Sequence, residues 1–345
     1  MKIHEKYLKR CLDLAKNGLG NTYPNPMVGS VIVHDGKIIG EGWHQKSGEA
    51  HAEVNAINSV SDKNLLKKST IYVSLEPCSH FGKTPPCSDL IIANGIKKVV
   101  IGTVDPYAKV AGKGIQKLLA AGCEVLVGVL EQECKLLNRR FFTFHQKKRP
   151  YIILKWAQTQ SGFIAPKQQK ERQPVWITNE TSKQFVHKWR SEEQAILVGT
   201  NTVFKDNPKL DVRLWSGKNP VRIVLDRNLK LPKNSHVFDG KNKTIVLCEN
   251  PIENRENVIF EPVDFQQEIA QQICAILYKH ELQSLIVEGG SQTLQTFLQA
   301  GLWDEARVFT GKTVFENGIP APTFSGKLIA QKNSSGDELK IYKND

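Results

Sequence analysis

Short apolar strands alternate with helix-patterned segments along most of this chain, and that alternation is its strongest constraint on fold. TIYVSL, KKVVIGTV and CEVLVGVL (70–75, 97–104 and 123–130) read as strands, and SDLIIANGI and GKGIQKLLAAG lie between them with helical spacing. Parallel neighbours need a crossover, usually a helix, so this order predicts a largely parallel sheet covered on both faces. Upstream, Tyr7, Leu8, Cys11, Leu12, Leu14 and Ala15 share a helical stripe, and VGSVIVH and KIIGEG flank the hairpin turn Asp35-Gly36. A second series follows: strands PYIILKWAQ, AILVG, VRIVLD, TIVLC and SLIVEGG, with helices near 182–190, at 266–278 and from Ser291.

At 345 residues the chain exceeds what one core usually serves. The basic stretch HQKKRP separates the two series, so the expected division is 1–146 and 147–345, with Lys147-Lys148-Arg149 in a linker. With 40% hydrophobic and 24% charged residues the composition is that of a soluble globular protein. The sequence has no apolar run of about 18 residues, and MKIHEKYLKR has no apolar signal core, so a cytoplasmic protein is expected. The net charge of +12 suggests an anionic partner, nucleic acid or a phosphorylated metabolite, and the scattered lysines do not choose between them.

Seven cysteines without a tight framework argue against a disulfide scaffold. Cys11, Cys123, Cys134, Cys248 and Cys274 have apolar neighbours and read as small buried hydrophobes. Cys78 and Cys87 differ. With His51 they supply the three protein ligands that catalytic zinc needs, leaving a fourth position for water. Zinc lowers the pKa of such a water to about 7. Glu53, two residues from His51 at a helix start, can then carry the proton to a leaving amine. His-x-Glu followed by Pro-Cys is the order that zinc nucleobase deaminases use. A purely structural zinc site would need a fourth ligand, for which His80 is available, but it leaves Glu53 without a role.

The cysteines stand nine apart in PCSHFGKTPPC, where the usual pattern has two intervening residues. With TYPNPMVG (22–29) and VDP (104–106), this widened loop resembles the deaminase half of the bifunctional riboflavin-biosynthesis deaminase/reductases. The resemblance implies a cytidine-deaminase-like α/β/α domain in which Asn25, His44, His80 and Lys83 line the substrate pocket, Lys83 at the substrate phosphate. Tyr107 stands where the family often has Asn.

In the second half, SLIVEGGSQTLQTF sets Gly289-Gly290 between a strand and a helix, a turn able to offer N–H groups to a dinucleotide phosphate, without any G-x-G-x-x-G. PYIILKWAQ, WIT, Arg190, AILVGTNTVFKDNPKLDVR, VRIVLD and VEGGSQTL resemble, in order, the reductase half of the same family. That resemblance implies a dihydrofolate-reductase-like α/β domain using NADPH. Ala157, Trp176, Thr202, Asp206, Gly290, Ser291, Gln292, Thr293, Leu294, Gln295 and Thr296 would contact the cofactor, and Arg190, Leu210, Arg213 and Glu288 the substrate. Two arginines could clamp a phosphate in bidentate fashion. Ser161 replaces the family's common Asp, and Pro174 falls where a serine often contacts substrate.

The expected function is therefore twofold. A zinc-activated water would deaminate 2,5-diamino-6-(5-phosphoribosylamino)pyrimidin-4(3H)-one, and NADPH would then reduce the ribosyl group of 5-amino-6-(5-phosphoribosylamino)uracil. Lys155, Asp206 and Glu288 are candidates for the proton of the second step. The resemblance also implies a homo-oligomer acting on a small molecule, with neither nucleic acid nor membrane as partner. The rivals are an RNA base deaminase, a structural zinc scaffold, and a deaminase with a degenerate reductase half.

Overall fold

The computed structural model describes residues 2–79, 85–107, 111–169 and 171–344, so His80 and Lys83 lie outside the described residues. The chain divides into two compact units, Met1–Lys147 and Lys148–Asp345.

The first unit opens with α1 (Lys2–Ala15), which buries the six residues of its expected stripe. β1 (Gly29–His34) and β2 (Lys37–Trp43) form a hairpin in which Asp35 and Gly36 have φ of 46° and 72°. Positive φ at both central residues is what a type I′ turn requires. There follow α2 (Ala52–Ser59), β3 (Thr70–Val73), α3 (Cys87–Ala93), β4 (Lys98–Ile101), α4 (Lys113–Ala120), β5 (Glu124–Val127), α5 (Glu131–Leu137) and α6 (Arg139–Lys147). The sheet runs β2-β1-β3-β4-β5, with β3, β4 and β5 parallel and β1 antiparallel to both its neighbours. Alternate residues face opposite layers. Ile71, Val73, Val99 and Ile101 pack with Ile57, Ile91 and Leu118, whereas Tyr72 and Val100 pack with Tyr7, Leu8 and Cys11 of α1. α2 lies directly on β2 because Gly42 has no side chain. A Cβ there would come within 2.4 Å of the Ala56 nitrogen.

The second unit contains β6 (Tyr151–Thr159), β7 (Phe163–Pro166), α7 (Glu180–Glu192), β8 (Ala195–Val198), α8 (Thr200–Asp206), β9 (Val221–Leu225), β10 (Thr244–Cys248) and β11 (Val258–Pro262). It continues with α9 (Ile269–Lys279), β12 (Ser284–Val287), α10 (Ser291–Gln299), β13 (Glu305–Gly311), β14 (Gly318–Pro320), β15 (Lys327–Ser334) and β16 (Asp337–Lys343). Nine strands form one sheet in the order β11-β10-β9-β8-β12-β6-β13-β16-β15. It is parallel from β11 to β13 and ends in the antiparallel β15-β16 hairpin. Ile152, Leu154, Leu285 and Val287 meet Ile273, Leu294 and Phe297 of α9 and α10 on one face. On the other, Ile153 and Ile286 meet Val186 and Trp189 of α7. Cys11, Cys123, Cys134, Cys248 and Cys274 are buried thiols, as expected.

Two sequence expectations need correction. The pattern of strands was traced only as far as α10, yet β13 to β16 follow it. Arg149 is also not part of a solvated linker. Its guanidinium donates to both carboxylate oxygens of Asp304, at 2.6 and 2.9 Å, and Asp304 accepts from the Ile152 N–H at 2.8 Å. This pair fastens the entrance of β6 beside β13, with both side chains nearly nine-tenths buried. Removing one partner leaves a buried charge uncompensated, so Asp304→Ala should cost the second unit about 3–5 kcal/mol. Denaturant unfolding followed by tryptophan fluorescence measures this, because every tryptophan except Trp43 lies in that unit.

Candidate active sites

His51 is the N-cap of α2, but its side chain makes no capping bond. Its Nδ1 instead lies 3.3 Å from Cys87 Sγ and 3.6 Å from Cys78 Sγ. The Cys87 N–H donates to Cys78 Sγ at 3.3 Å, and the three potential ligand atoms all fall within 4.8 Å of one another. Cys78 follows β3, and Cys87 opens α3, where free helix N–H groups favour a thiolate. The Cys78 thiol is lowered to about 4, chiefly by its hydrogen bond from Cys87 and then by His51, against the cost of burial. Cys87 is correspondingly raised by the same pairing. One negative charge shared between two sulfurs is what the metal-free cluster sustains, whereas a dication deprotonates both. One nitrogen and two sulfurs, the three ligands found among the described residues, are a zinc donor set, and their geometry fits it.

Glu53 is buried beside this cluster and is pushed up to about 7 by burial, which the neighbouring His51 opposes. His44 packs edge-on to His51 with ring centroids 5.4 Å apart. Its Nδ1 faces the Ala50 carbonyl at 3.1 Å, so that nitrogen carries the hydrogen and Nε2 accepts from Asn25 Nδ2 at 3.1 Å. Burial lowers the His44 pKa, consistent with a neutral ring. Asn25 and His44 are thus brought together at the edge of the metal cluster. Tyr107 sits against the rings of His145 and the Phe141 group, an aromatic contact where the resembling family often has an amide.

Two residues here escaped sequence reasoning. Asn138 accepts from the Met27 N–H and donates to the Met27 carbonyl, both at 2.8 Å, and so pins the loop that carries Asn25. The other is Glu76, a buried carboxylate that, among the described residues, accepts from four backbone N–H groups. Both act across large sequence separations, where no local pattern exists to signal them.

In the second unit a cavity of about 1000 Å³ lies beyond the carboxyl ends of β8 and β12 and beside β6. That is the crevice where open α/β sheets bind ligands. Ala157, Trp176, Thr202, Asp206, Glu288, Gly290, Ser291, Gln292, Leu294, Gln295 and Thr296 all line it. Thr293 does not; it is buried behind that wall. Trp176 is half exposed and lies under Lys183 Nζ at 3.9 Å, which excludes a core role. Pro174 is also in the wall, while Ser161 bonds back to Thr159. A Cβ on Gly289 would lie 2.8 Å from Thr202 Oγ1, so α8 and the start of α10 approach only because that position is glycine.

The four expected substrate residues are arranged differently from a free arginine clamp. Arg190 donates to both oxygens of Glu288, at 3.1 and 2.7 Å, and to the Asp211 carbonyl at 3.2 Å. Arg213 donates to Asp211 Oδ1 at 2.6 Å and is two-fifths exposed. Leu210 is buried with φ of 51°, just ahead of this loop. His187, unremarked in the sequence, accepts from the Arg213 N–H at 3.2 Å. Burial, Arg190 and Arg213 together lower it to about 4, so it is a neutral acceptor. Burial alone would raise Glu288, but Arg190 and Lys155, whose Nζ is 3.8 Å away, hold it at about 2.

The comparisons with known proteins agree with these two sites. The profile of the cytidine and deoxycytidylate deaminase zinc-binding region matches residues 1–103, and that of the RibD C-terminal domain matches 150–320. The riboflavin biosynthesis protein RibD of Aquifex aeolicus is 43% identical over 92% of this chain and 89% of its own. The chain belongs to the RibD family. The Escherichia coli RibD protein is 36% identical over 88% of this chain and 86% of its own. A solved Thermotoga maritima protein, described as a diaminohydroxyphosphoribosylaminopyrimidine deaminase/5-amino-6-(5-phosphoribosylamino)uracil reductase, superposes with a TM-score of 0.90. It is 39% identical and covers 100% of this chain and 99% of its own. Acinetobacter baumannii RibD gives 0.88 at 31% identity, covering 100% and 99%.

As a RibD-family chain the protein should hold about one zinc in its first unit. Cys87→Ser should abolish stoichiometric zinc, measured by atomic absorption, without altering the unfolding transition of the second unit.

Proposed function

We propose that this chain catalyses two successive steps of riboflavin biosynthesis. The first is deamination of 2,5-diamino-6-(5-phosphoribosylamino)pyrimidin-4(3H)-one, and the second is NADPH-dependent reduction of the ribosyl group of the product. The observation that carries the reading is the convergence of His51, Cys78 and Cys87 beside a buried Glu53 in a RibD-family chain.

His51, Cys78 and Cys87 would hold the zinc, which when bound would supply a water activated at neutral pH. Glu53, buried beside the three ligands and pushed up to about 7 by that burial, is the group placed to carry a proton between an attacking water and the departing amine. Asn25 spends its amide N–H on His44, which leaves its carbonyl oxygen to accept from the pyrimidine. His80 and Lys83 lie outside the described residues; the family resemblance alone would give them to the substrate, Lys83 to its phosphate.

In the second unit the cavity would hold NADPH, which would supply the hydride for C1 of the ribose. The N–H groups at the start of α10 would serve its diphosphate, with Gly289 leaving room beside Thr202 of α8. Of the proton candidates, Glu288 is excluded because it is ionised throughout the working range. Its folded value of about 2 lies below the ordinary 4.5, so its ion pair stabilises fully above pH 4.5 and is lost as the pH falls through 2. Lys155, whose pKa burial lowers, lines the cavity beside Glu288, and we assign the proton to it. Asp206 faces Gln169 on α8, at the other side of the cofactor space. The reading has a cytoplasmic homo-oligomer working on small molecules; an RNA-binding second half is not supported, since that half matches a reductase domain.

A coupled assay on the purified chain tests this by following ammonia release and NADPH loss from the diamino substrate. Glu53→Gln should lower ammonia release about 10²–10⁴-fold while retaining zinc. Lys155→Ala should lower NADPH loss by a similar factor and leave ammonia release intact. Wild-type protein that holds zinc yet releases no ammonia from this substrate would refute the assignment.

A further inference from the structure

We infer that Glu76, with Gly114 opposite it, is the positioning residue for the Cys78 ligand: a clamp that fixes where the thiolate sits without touching metal or substrate. The inference rests on zinc binding at His51, Cys78 and Cys87. Glu76 lies two residues before Cys78 and is 4% exposed. Oε1 accepts from the N–H groups of Gly114 at 2.9 Å and Ile115 at 3.3 Å. Oε2 accepts from Gly112 at 2.9 Å and Asp105 at 3.2 Å. α4 begins at Lys113, and its N-cap Gly112 has no side chain with which to cap it. Glu76 therefore caps that helix from a distance, satisfying N–H groups that would otherwise be orphaned. The Glu76 N–H in turn donates to the Thr103 carbonyl at 2.9 Å, so the segment is tied at backbone and side chain.

The steric half of the clamp is Gly114. A Cβ there would lie 2.0 Å from the Pro77 carbonyl oxygen, so α4 is seated against the peptide that leads into Cys78. From the far side, the Ser88 N–H and hydroxyl both bond the Cys78 carbonyl, at 3.1 and 3.0 Å. Cys78 is thereby held between α4 and α3. Glutamine cannot replace Glu76, because an amide offers one acceptor oxygen and turns its NH₂ against two N–H donors.

The test uses the full chain, with circular dichroism and thermal unfolding as the control on folding of the first unit and reductase turnover as the control on the second. Zinc affinity is read by chelator competition, and the metal geometry by the visible spectrum of the cobalt(II)-substituted protein. Glu76→Gln should weaken zinc binding about 10–100-fold and shift the cobalt bands, with reductase turnover unchanged. Gly114→Ala, which pushes the same peptide from the other side, should do likewise. Glu76→Asp, with its shorter reach, should fall between wild type and Glu76→Gln. If folded Glu76→Gln keeps wild-type zinc affinity and cobalt spectrum, the inference is overturned. If Glu76→Gln loses reductase turnover as well, Gly114→Ala decides, and wild-type affinity in that variant overturns it. Wild-type protein without zinc would remove the metal reading itself, and this inference with it.

Discussion

A buried carboxylate at the carboxyl end of a central strand has to be neutralised before either unit can close over it. Leaving such a charge unpaired in a low-dielectric interior would cost several kcal/mol, a large part of the stability of a typical domain. In the first unit the carboxylate is Glu76, three residues beyond β3, the middle strand of five. In the second it is Glu288, immediately after β12, the middle strand of nine. Each unit answers the same demand with different chemistry. Four backbone N–H groups surround Glu76, whereas Arg190 and Lys155 surround Glu288.

The difference suits the two sites. Backbone donors neither titrate nor change rotamer, so what Glu76 holds stays fixed, as a metal ligand must. Side-chain cations can be redistributed. Arg190, Lys155 and Glu288 together carry one net positive charge, and Arg213 with Asp211 carries none. A phosphate entering here would compete with carboxylates for guanidinium groups already in place, and would meet arginines already oriented. Preorganised donors lose less entropy on binding than free side chains would. His187 contributes to that order as a neutral acceptor fixed between two arginines.

Much of this was legible in the sequence wherever the determining contact is local. The Asp35-Gly36 turn, the buried stripe of α1 and the strand–helix alternation each follow from residues within a few positions of one another. His51, Glu53, Cys78 and Cys87 were legible because metal chemistry needs particular residue types in a particular order. The unread parts share a different property. Asn138 acts on Met27, Asp304 on Arg149 and Glu76 on Gly112 and Gly114, all through contacts between distant positions. The strands β15 and β16 were missed because they lie at the end of the sheet, with polar and charged residues at many positions. Their pairing is then carried by the backbone, which leaves little hydrophobic periodicity to detect. The pairing of Arg190 went unread for a similar reason, since Glu288 is adjacent to it only in space.

The wide separation of Cys78 and Cys87 follows from the same physics. With two intervening residues, a short turn would set the distance between the sulfurs. Here α3 takes over that task, because its first residues bond Cys78 directly: Cys87 N–H to the sulfur, Ser88 N–H and hydroxyl to the carbonyl. The ligand geometry is thereby uncoupled from the length of chain between the cysteines. Lengthening such a loop costs little, since closure entropy grows only with the logarithm of its length. The extra residues would then be available for other work, such as the substrate contacts the family resemblance implies for His80 and Lys83, without loosening the metal. A compact cysteine pair fixes the metal but leaves no such residues beside it; this chain obtains both by letting a helix N-terminus hold the first cysteine.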